Sequence, residues 1–99
     1  MNYSIVLDKR ALNDIQQAID YYDNESAGLG TKFENLLNQH FDKLKTNPFF
    51  QTRYDNVRCL PFKKFPYMIH YTLNESDKLI IVRAVFSTYR DPKIWKERK

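Results

Sequence analysis

The chain has 99 residues and a net charge of +4, with 42% hydrophobic and 15% aromatic residues, two glycines, four prolines and one cysteine. Apolar residues are too abundant for a disordered chain, and a lone thiol cannot cross-link it. No stretch approaches the roughly 20 apolar residues of a membrane span, and the amino-terminal apolar run is too short for a secretion signal. We therefore expect one folded domain over residues 1–99, located in the cytoplasm and without membrane contact.

Hydrophobic spacing predicts a strand and a helix at the start of the chain. Tyr3–Leu7 alternates and is rich in β-prone residues, and Asp8 is a suitable N-cap for a following helix. The helix is predicted to end near Asn24. Its apolar stripe repeats at three- and four-residue steps, and the polar residues between are expected to face away: the stripe is Leu12, Ile15, Ile19 and Tyr22, and the polar set is Asn13, Asp14, Gln17 and Asp20.

A second helix is predicted from Ser26, as its N-cap, to the stop signal at Thr46–Pro48. Its apolar positions keep the helical period for four turns, and they are Leu29, Phe33, Leu36, Leu37, Phe41 and Leu44. Because the connection between the helices is short, they should be antiparallel neighbours, with Gly30 allowing close approach.

After Pro48 the period changes from 3.6 to 2, which indicates strands. The predicted strands are Val57–Leu60, Tyr67–Leu73 and Leu79–Phe86, the last two forming an antiparallel hairpin. The expected fold class is therefore α+β, with a two-helix antiparallel hairpin packed on one face of a small, mainly antiparallel sheet.

Period-two alternation also assigns the faces of the predicted sheet. The face toward the helices is expected to hold Cys59, Tyr67, Ile69, Tyr71, Leu73, Ile80, Val82, Ala84 and Phe86. The opposite face is expected to hold Arg58, Leu60, Met68, His70, Thr72, Leu79, Ile81, Arg83 and Val85. Because this second face mixes apolar and cationic residues, we expect it to be covered or used for binding.

Positive charge is concentrated in the second half of the chain. Residues 1–50 carry five Lys and Arg against seven Asp and Glu, net −2, whereas residues 51–99 carry eleven against five, net +6. This asymmetry favours a polyanionic partner, either nucleic acid or an acidic protein segment. The basic residues of that half are interleaved with aromatic residues, a combination that suits phosphates and unstacked bases: Arg58, Lys63, Lys64, Arg83, Arg90, Lys93, Lys96, Arg98 and Lys99, with Phe62, Tyr67, Tyr89 and Trp95.

The sequence carries no strong enzymatic motif. It has no glycine-rich phosphate loop and no zinc-ligand spacing, so no metal and no nucleotide cofactor are expected. His40 is interpreted as a structural residue on the flank of the second helix. His70 is open to two interpretations, an acid or base on the cationic face or a side chain that packs against Met68 and Ile81.

The order and spacing of several motifs resemble the RelE/ParE toxin superfamily, in the plasmid-stabilisation branch near ParE. The resemblance covers nearly the whole chain and rests on these segments: Ala11-x-x-Asp14-Ile15-x-x-Ala18-x-x-Tyr21-Tyr22, Leu29-Gly30-x-x-Phe33, Asn47-Pro48, Val57-Arg58-x-Leu60, Phe65-Pro66-Tyr67-x-Ile69-x-Tyr71, Ala84-Val85-Phe86 and Tyr89-Arg90-Asp91-Pro92-x-x-Trp95-x-x-Arg98. It implies the toxin of a bacterial type II toxin-antitoxin system, held inactive by a cognate antitoxin. The antitoxin is expected to lay an acidic segment over the basic sheet face or the helical hairpin.

The resemblance implies one of two targets. RelE-like members cleave mRNA on the ribosome without a metal, and such an endoribonuclease would use Arg58 and Arg90 on the phosphate and Tyr89 or His70 on the proton. Ser87 stands where many relatives carry histidine, and Met68 where RelE-like nucleases carry arginine, and both differences argue against a ribonuclease.

ParE-like members instead inhibit DNA gyrase, for which the basic tail with Trp95 would be a docking surface and no residue need perform chemistry. For either target, the residues expected to bind nucleic acid or the target are Lys63, Lys64, Arg83, Lys93, Trp95 and Arg98. A third interpretation is a non-toxic RNA- or protein-binding module of the same fold.

Overall fold

The computed structural model describes residues 2–89, which form five strands and two helices. In chain order these are β1 (Ser4–Leu7), α1 (Lys9–Glu25), α2 (Leu29–Thr46), β2 (Thr52–Tyr54), β3 (Val57–Pro61), β4 (Tyr67–Asn74) and β5 (Leu79–Ser87). The strands make one sheet in the order β1-β5-β4-β3-β2, in which β1 runs parallel to β5 and the other neighbours are antiparallel. The predicted α+β class is confirmed, and the short edge strand β2 was not predicted.

The start of α1 agrees with the prediction from the sequence, and the start of α2 does not. Asp8 caps α1 by accepting the amide of Arg10 at 2.9 Å. The prediction that Ser26 caps α2 is wrong, because Ser26 closes α1 by donating its amide to the carbonyl of Tyr22. The turn then passes through Gly28 at φ +86°, a left-handed conformation that glycine adopts without steric cost, and α2 begins after it.

Gly30 brings α1 and α2 into backbone contact, as predicted. A Cβ at this position would lie 2.5 Å from the carbonyl oxygen of Ile19. The Gly30 amide donates to Asp23 Oδ1 at 2.8 Å, so one side chain of α1 also holds the start of α2. The absence of a side chain therefore sets the distance between the two helices.

The helices pack on one face of the sheet, called here the helix face. Its core combines sheet residues with helix residues: Leu60, Ile69, Tyr71, Ile80, Val82 and Val85 from the strands, and Ala11, Ile15, Ala18, Phe33, Leu37, Phe41 and Leu44 from the helices. Ile69, Tyr71 and Ile80 are fully buried there. The other face, called the outer face, holds Met68, His70 and Phe86, which are also buried.

A β-bulge in β5 makes the predicted face assignment wrong beyond Val82. Tyr71 pairs with Val82 and His70 with Ala84, which leaves Arg83 as an extra residue in β5. Past the bulge the alternation is shifted by one residue, so Val85 turns to the helix face while Ala84 and Phe86 turn to the outer face. The Val85 amide accordingly meets α1, donating to Asp14 Oδ2 at 3.2 Å.

The predicted faces of β3 are also wrong. Leu60 pairs with Ile69 and Cys59 with His70, so Cys59 is on the outer face, whereas Leu60, and with it Arg58, is on the helix face. The register of β3 depends on the loop before β4, where Phe62 donates its amide to the carbonyl of Tyr67. Because a one-residue shift exchanges the faces, the sequence of β3 alone does not fix them.

Two α1 residues differ from the predicted stripe. Leu12 is 51% exposed although it was placed on the apolar side, and Asp14 is only 7% exposed although it was predicted to face away. Asp14 is buried because its carboxylate accepts the amide of Val85. Neither helix in residues 2–89 combines the length and the apolarity needed to cross a membrane.

Candidate functional site

The predicted cationic cluster does not form a single site within residues 2–89. Arg58 and Arg83, which were expected on the same sheet face, lie on opposite faces, because the register of β3 turns Arg58 to the helix face while Arg83 binds Thr72 on the outer face. Arg90, Lys93, Trp95 and Arg98 lie outside the described residues. The remaining candidates occupy five separate environments.

Arg58 is held by the loop between α2 and β2. Its Nη1 donates to the carbonyl oxygen of Phe50 at 2.7 Å, and its guanidinium carbon lies 5.7 Å from the centre of the Phe49 ring. Beside it, the Tyr71 hydroxyl donates to the carbonyl oxygen of Pro48, and burial raises the pKa of Tyr71 to about 12. Arg58 therefore tethers an irregular loop to the sheet.

His70 is fully buried on the outer face. Its Nδ1 lies 3.0 Å from the Tyr54 hydroxyl and 3.4 Å from Cys59 Sγ, and its ring contacts Phe86 edge-on at 5.3 Å. Burial raises the pKa of the Cys59 thiol to about 11, which keeps it protonated and unreactive at neutral pH. Of the two interpretations of His70, its burial favours packing, and its printed distances place it beside Tyr54, Cys59 and Phe86.

Arg83 binds groups of its own chain. At the bulge, its Nε donates to Thr72 Oγ1 at 3.2 Å and its Nη1 lies 3.8 Å from Asp8 Oδ2. Hydrogen bonds from Arg10 are the main cause that lowers the pKa of Asp8 from 3.8 to about 2, with a smaller contribution from Arg83. The guanidinium thus joins the bulge of β5 to the end of β1.

Tyr89 is 87% exposed just beyond the end of β5. Its amide donates to Ser87 Oγ at 3.2 Å. Within residues 2–89 the candidate catalytic residues are therefore in three different settings: Arg58 holds a loop, His70 is buried and Tyr89 is exposed. The structure does not bring them together. No group of three His, Cys, Asp or Glu side chains in the described part of the chain is arranged to hold a metal ion.

Lys63 and Lys64 lie in the loop between β3 and β4. They line a surface shared with α2 and are not grouped with Arg58 or Arg83. With residues of α2 they line a groove of about 550 Å³ and an adjoining cavity of about 190 Å³. We call this feature the lysine groove, and its residues are Leu29, Lys32, Asn35, Leu36, Gln39, His40, Lys43, Lys63, Lys64 and Phe65.

Sequence reasoning missed the contribution of α2 to this groove. The signal was present, because Lys32, Leu36, Gln39 and Lys43 follow one another at helical spacing along one flank of α2. His40, interpreted as structural, closes the groove from below: its Nδ1 lies 2.7 Å from the carbonyl oxygen of Leu36 and its ring stacks on Phe62.

The sequence of residues 5–92 matches the family described as the ParE toxin of type II toxin-antitoxin system, parDE. No curated protein sequence matches the chain. The family match therefore covers 88 consecutive positions, from Ile5 to Pro92. It includes both helices, strands β2 to β5 and all of β1 except Ser4.

The fold is similar to those of solved toxin structures. A chromosomal ParDE toxin-antitoxin system from P. aeruginosa has 16% identity and a TM-score of 0.74, with 86% of this chain and 95% of that chain covered. A doubly substituted free E. coli RelE toxin has 15% identity and a TM-score of 0.75, with 99% and 95% covered. The intact E. coli RelBE toxin-antitoxin complex has 16% identity and a TM-score of 0.69, with 89% and 99% covered.

Proposed function

Since the chain belongs to the ParE toxin family of type II toxin-antitoxin systems, we propose that it arrests growth by binding DNA gyrase and that a cognate antitoxin neutralises it. Two of the similar structures are described as toxin-antitoxin systems or complexes, which supports an antitoxin as partner. The support for gyrase as the target is that the matching family is that of the ParE toxins.

The observation that carries the proposal is the structural use of the candidate catalytic residues. A ribonuclease needs its cations and its acid or base to converge on one phosphate. Arg58 instead holds the carbonyl of Phe50, and His70 is fully buried with Nδ1 beside Tyr54 and Cys59. An inhibitor that acts by binding has no such requirement, because its affinity comes from an interface with a few dominant contact residues and not from groups that converge on one phosphate.

The test combines expression without a partner and an assay with purified components. Induction of the chain alone in a bacterial host should cause filamentation and a DNA-damage response while pulse-labelled protein synthesis continues. Protein made by cell-free synthesis should inhibit supercoiling by purified gyrase. Rapid loss of translation with cleaved mRNA would overturn the gyrase target, and normal growth with soluble protein present would favour a non-toxic binding module.

Tyr89→Phe is the variant that separates the two toxic mechanisms. Tyr89 is 87% exposed, so removal of its hydroxyl should leave the fold intact. A ribonuclease that uses Tyr89 on the proton should lose at least about 100-fold in rate, which is the usual size of a general acid-base contribution. A gyrase inhibitor should keep wild-type toxicity within about twofold, because one exposed hydroxyl contributes little to a protein interface. Growth and supercoiling are measured beside wild type at equal protein levels.

A further inference from the structure

A second pocket lies between α1 and the paired ends of β4 and β5. Its volume is about 270 Å³, and its lining includes Asp14, Gln17, Tyr21, Tyr67, Val85 and Ser87. We call it the tyrosine pocket. The α1 residues in this set recur at three- and four-residue steps, so they lie along one flank of the helix. Sites for small molecules usually enclose about 300–1,000 Å³, so the tyrosine pocket has the size of a site for one side chain.

Exposed tyrosine rings border this pocket. Tyr21 is 56% exposed, and Tyr89 is exposed just past the end of β5. Tyr22 is half-buried beside them, with its ring centre 5.1 Å from that of Tyr21 and 6.0 Å from that of Tyr67. The pKa of Tyr22 is raised to about 12, mainly by burial, and Tyr89 is among the neighbours that contribute. Tyrosine is enriched among the residues that dominate protein interfaces, so a protein partner fits this cluster.

The charge of α1 favours a cation in the tyrosine pocket. After Arg10 the helix carries four acidic residues and no lysine or arginine, and the acidic residues are Asp14, Asp20, Asp23 and Glu25. Arg10 itself is turned to Asp8, to which its Nε donates at 3.2 Å and its Nη2 at 3.1 Å. A phosphate or an acidic peptide would therefore meet negative charge on this helix, whereas a basic group would be attracted.

Asp14 brings this negative charge into the pocket. It is only 7% exposed, and its Oδ2 accepts the amide of Val85, another lining residue, at 3.2 Å. Each carboxylate oxygen can accept two hydrogen bonds, so Asp14 can bind a guanidinium and keep the amide of Val85. Arginine fits better than lysine here, because its planar guanidinium donates two parallel N–H groups to a carboxylate and also stacks on tyrosine rings.

We propose that the tyrosine pocket receives an arginine side chain from a basic segment of a partner protein. The guanidinium would pair with Asp14 and stack on Tyr21, while Gln17 and Ser87 offer further acceptors. The inference rests on the proposed function in one respect, since the partner is then gyrase. The same pocket would repel an acidic segment, so its charge distinguishes a basic target from an acidic partner.

The test compares two short fluorescein-labelled peptides of glycine and serine, one carrying arginines and the other lysines at the same positions. Protein made by cell-free synthesis should bind the arginine peptide saturably and about fivefold more tightly than the lysine peptide. The two peptides have the same charge, and only the guanidinium can both pair and stack. NMR shifts on addition of the arginine peptide should map to the amides of Asp14, Ala18, Val85 and Ser87.

Asp14→Asn removes the charge of the pocket and keeps an oxygen for the amide of Val85. It should bind the arginine peptide about tenfold more weakly and lose most of the preference over the lysine peptide. The matched control is Asp42→Asn on α2, which removes the same charge from an exposed position outside the pocket. It should bind within about twofold of wild type.

Tyr21→Ala is the second variant, because Asp14 is buried and its replacement could affect folding. Tyr21 is more than half exposed, so its loss should leave the fold intact and weaken binding of the arginine peptide about fivefold. The control is Phe49→Ala, which removes an aromatic ring of similar exposure from the loop between α2 and β2. It should bind the peptide as wild type does.

Four results would each overturn the proposal. They are equal binding of the arginine and lysine peptides, equal losses in a pocket variant and its control, NMR shifts that map outside the pocket, and preferred binding of a G-rich RNA in the pocket.

The supercoiling assay decides whether gyrase is the partner. Tyr21→Ala should require about tenfold more protein than wild type to inhibit gyrase, and Phe49→Ala should not. Unchanged inhibition by Tyr21→Ala would overturn gyrase as the partner of this pocket. Peptide binding does not depend on gyrase, so failure of wild type to inhibit supercoiling leaves the peptide result intact. Failure of the peptide test with inhibition present leaves the gyrase target standing.

Discussion

At the scale of single residues, a few charged side chains connect separate parts of the fold. Asp8 caps α1, pairs with Arg10 at 3.1 Å and reaches Arg83 at 3.8 Å, so one carboxylate joins a helix start to the bulge of β5. Arg58 tethers the loop before β2, and Asp14 accepts an amide of β5. Arginine in a strand is therefore weak evidence for substrate binding when irregular backbone lies close by.

The contribution of Asp8 to the free energy of unfolding depends on pH, because its pKa in the folded chain is low. We expect Asp8→Ala to lower the free energy of unfolding by about 1 kcal/mol at pH 7 through loss of the N-cap. The pKa of Asp8 in the folded chain is about 2, below its ordinary 3.8, so its stabilisation is complete above pH 3.8 and is lost as pH falls toward 2. Urea unfolding of wild type and variant should give curves that converge on acidification.

A matched control for Asp8→Ala is Asp42→Ala on α2, whose exposed pair with Lys45 should contribute at most about 0.5 kcal/mol. If the difference between wild type and Asp8→Ala stayed constant from pH 7 to about pH 3, the charge of Asp8 would not be the stabilising group.

At the scale of elements, glycine decides how the helices meet. We expect Gly30→Ala to destabilise the chain by about 2 kcal/mol, because its Cβ would lie 2.5 Å from the Ile19 carbonyl and 2.7 Å from Asp23 Oδ1. This cost outweighs the gain of about 1 kcal/mol that alanine brings to a helix interior. Chemical denaturation followed by circular dichroism measures the difference.

Gly28→Ala is the comparison for that variant. Nothing lies within 4 Å of a Cβ at Gly28, but its φ is +86°, so the cost is backbone strain of about 1 kcal/mol. A neutral or stabilising Gly30→Ala would show that α1 and α2 can separate without penalty, which contradicts the close contact.

At the scale of the whole molecule, stability should follow the position of each strand in the sheet. β4 lies between β3 and β5, and its residues Ile69, His70 and Tyr71 are fully buried, whereas β2 is a three-residue edge strand. We expect β4 amides to exchange with solvent only by global unfolding, and β2 amides by local opening at least about 100-fold faster. Hydrogen exchange followed by NMR tests this order. Equal protection of β2 and β4 would contradict it.

Charge is also distributed at the scale of the molecule. The basic second half of the sequence does not build one basic face within residues 2–89. Lys63 and Lys64 join Lys32 and Lys43 from the acidic first half to make the lysine groove. The net charge of each half of the sequence therefore does not show which surface of the folded chain carries the positive charge.

The sequence by itself determined the α+β class, the two antiparallel helices, the three longer strands, the Asp8 cap and the close approach at Gly30, because each depends on hydrophobic period or on local steric limits. The family was also recognisable from the order of its motifs. Only the tertiary structure decided the faces of β3 and of β5 beyond Val82, the burial of Asp14 and the grouping of the lysines. Each of these depends on strand register, where a shift of one residue exchanges the two faces, or on contacts between distant segments. The arginines predicted to act together are on opposite faces because the register of β3 turns Arg58 to the helix face.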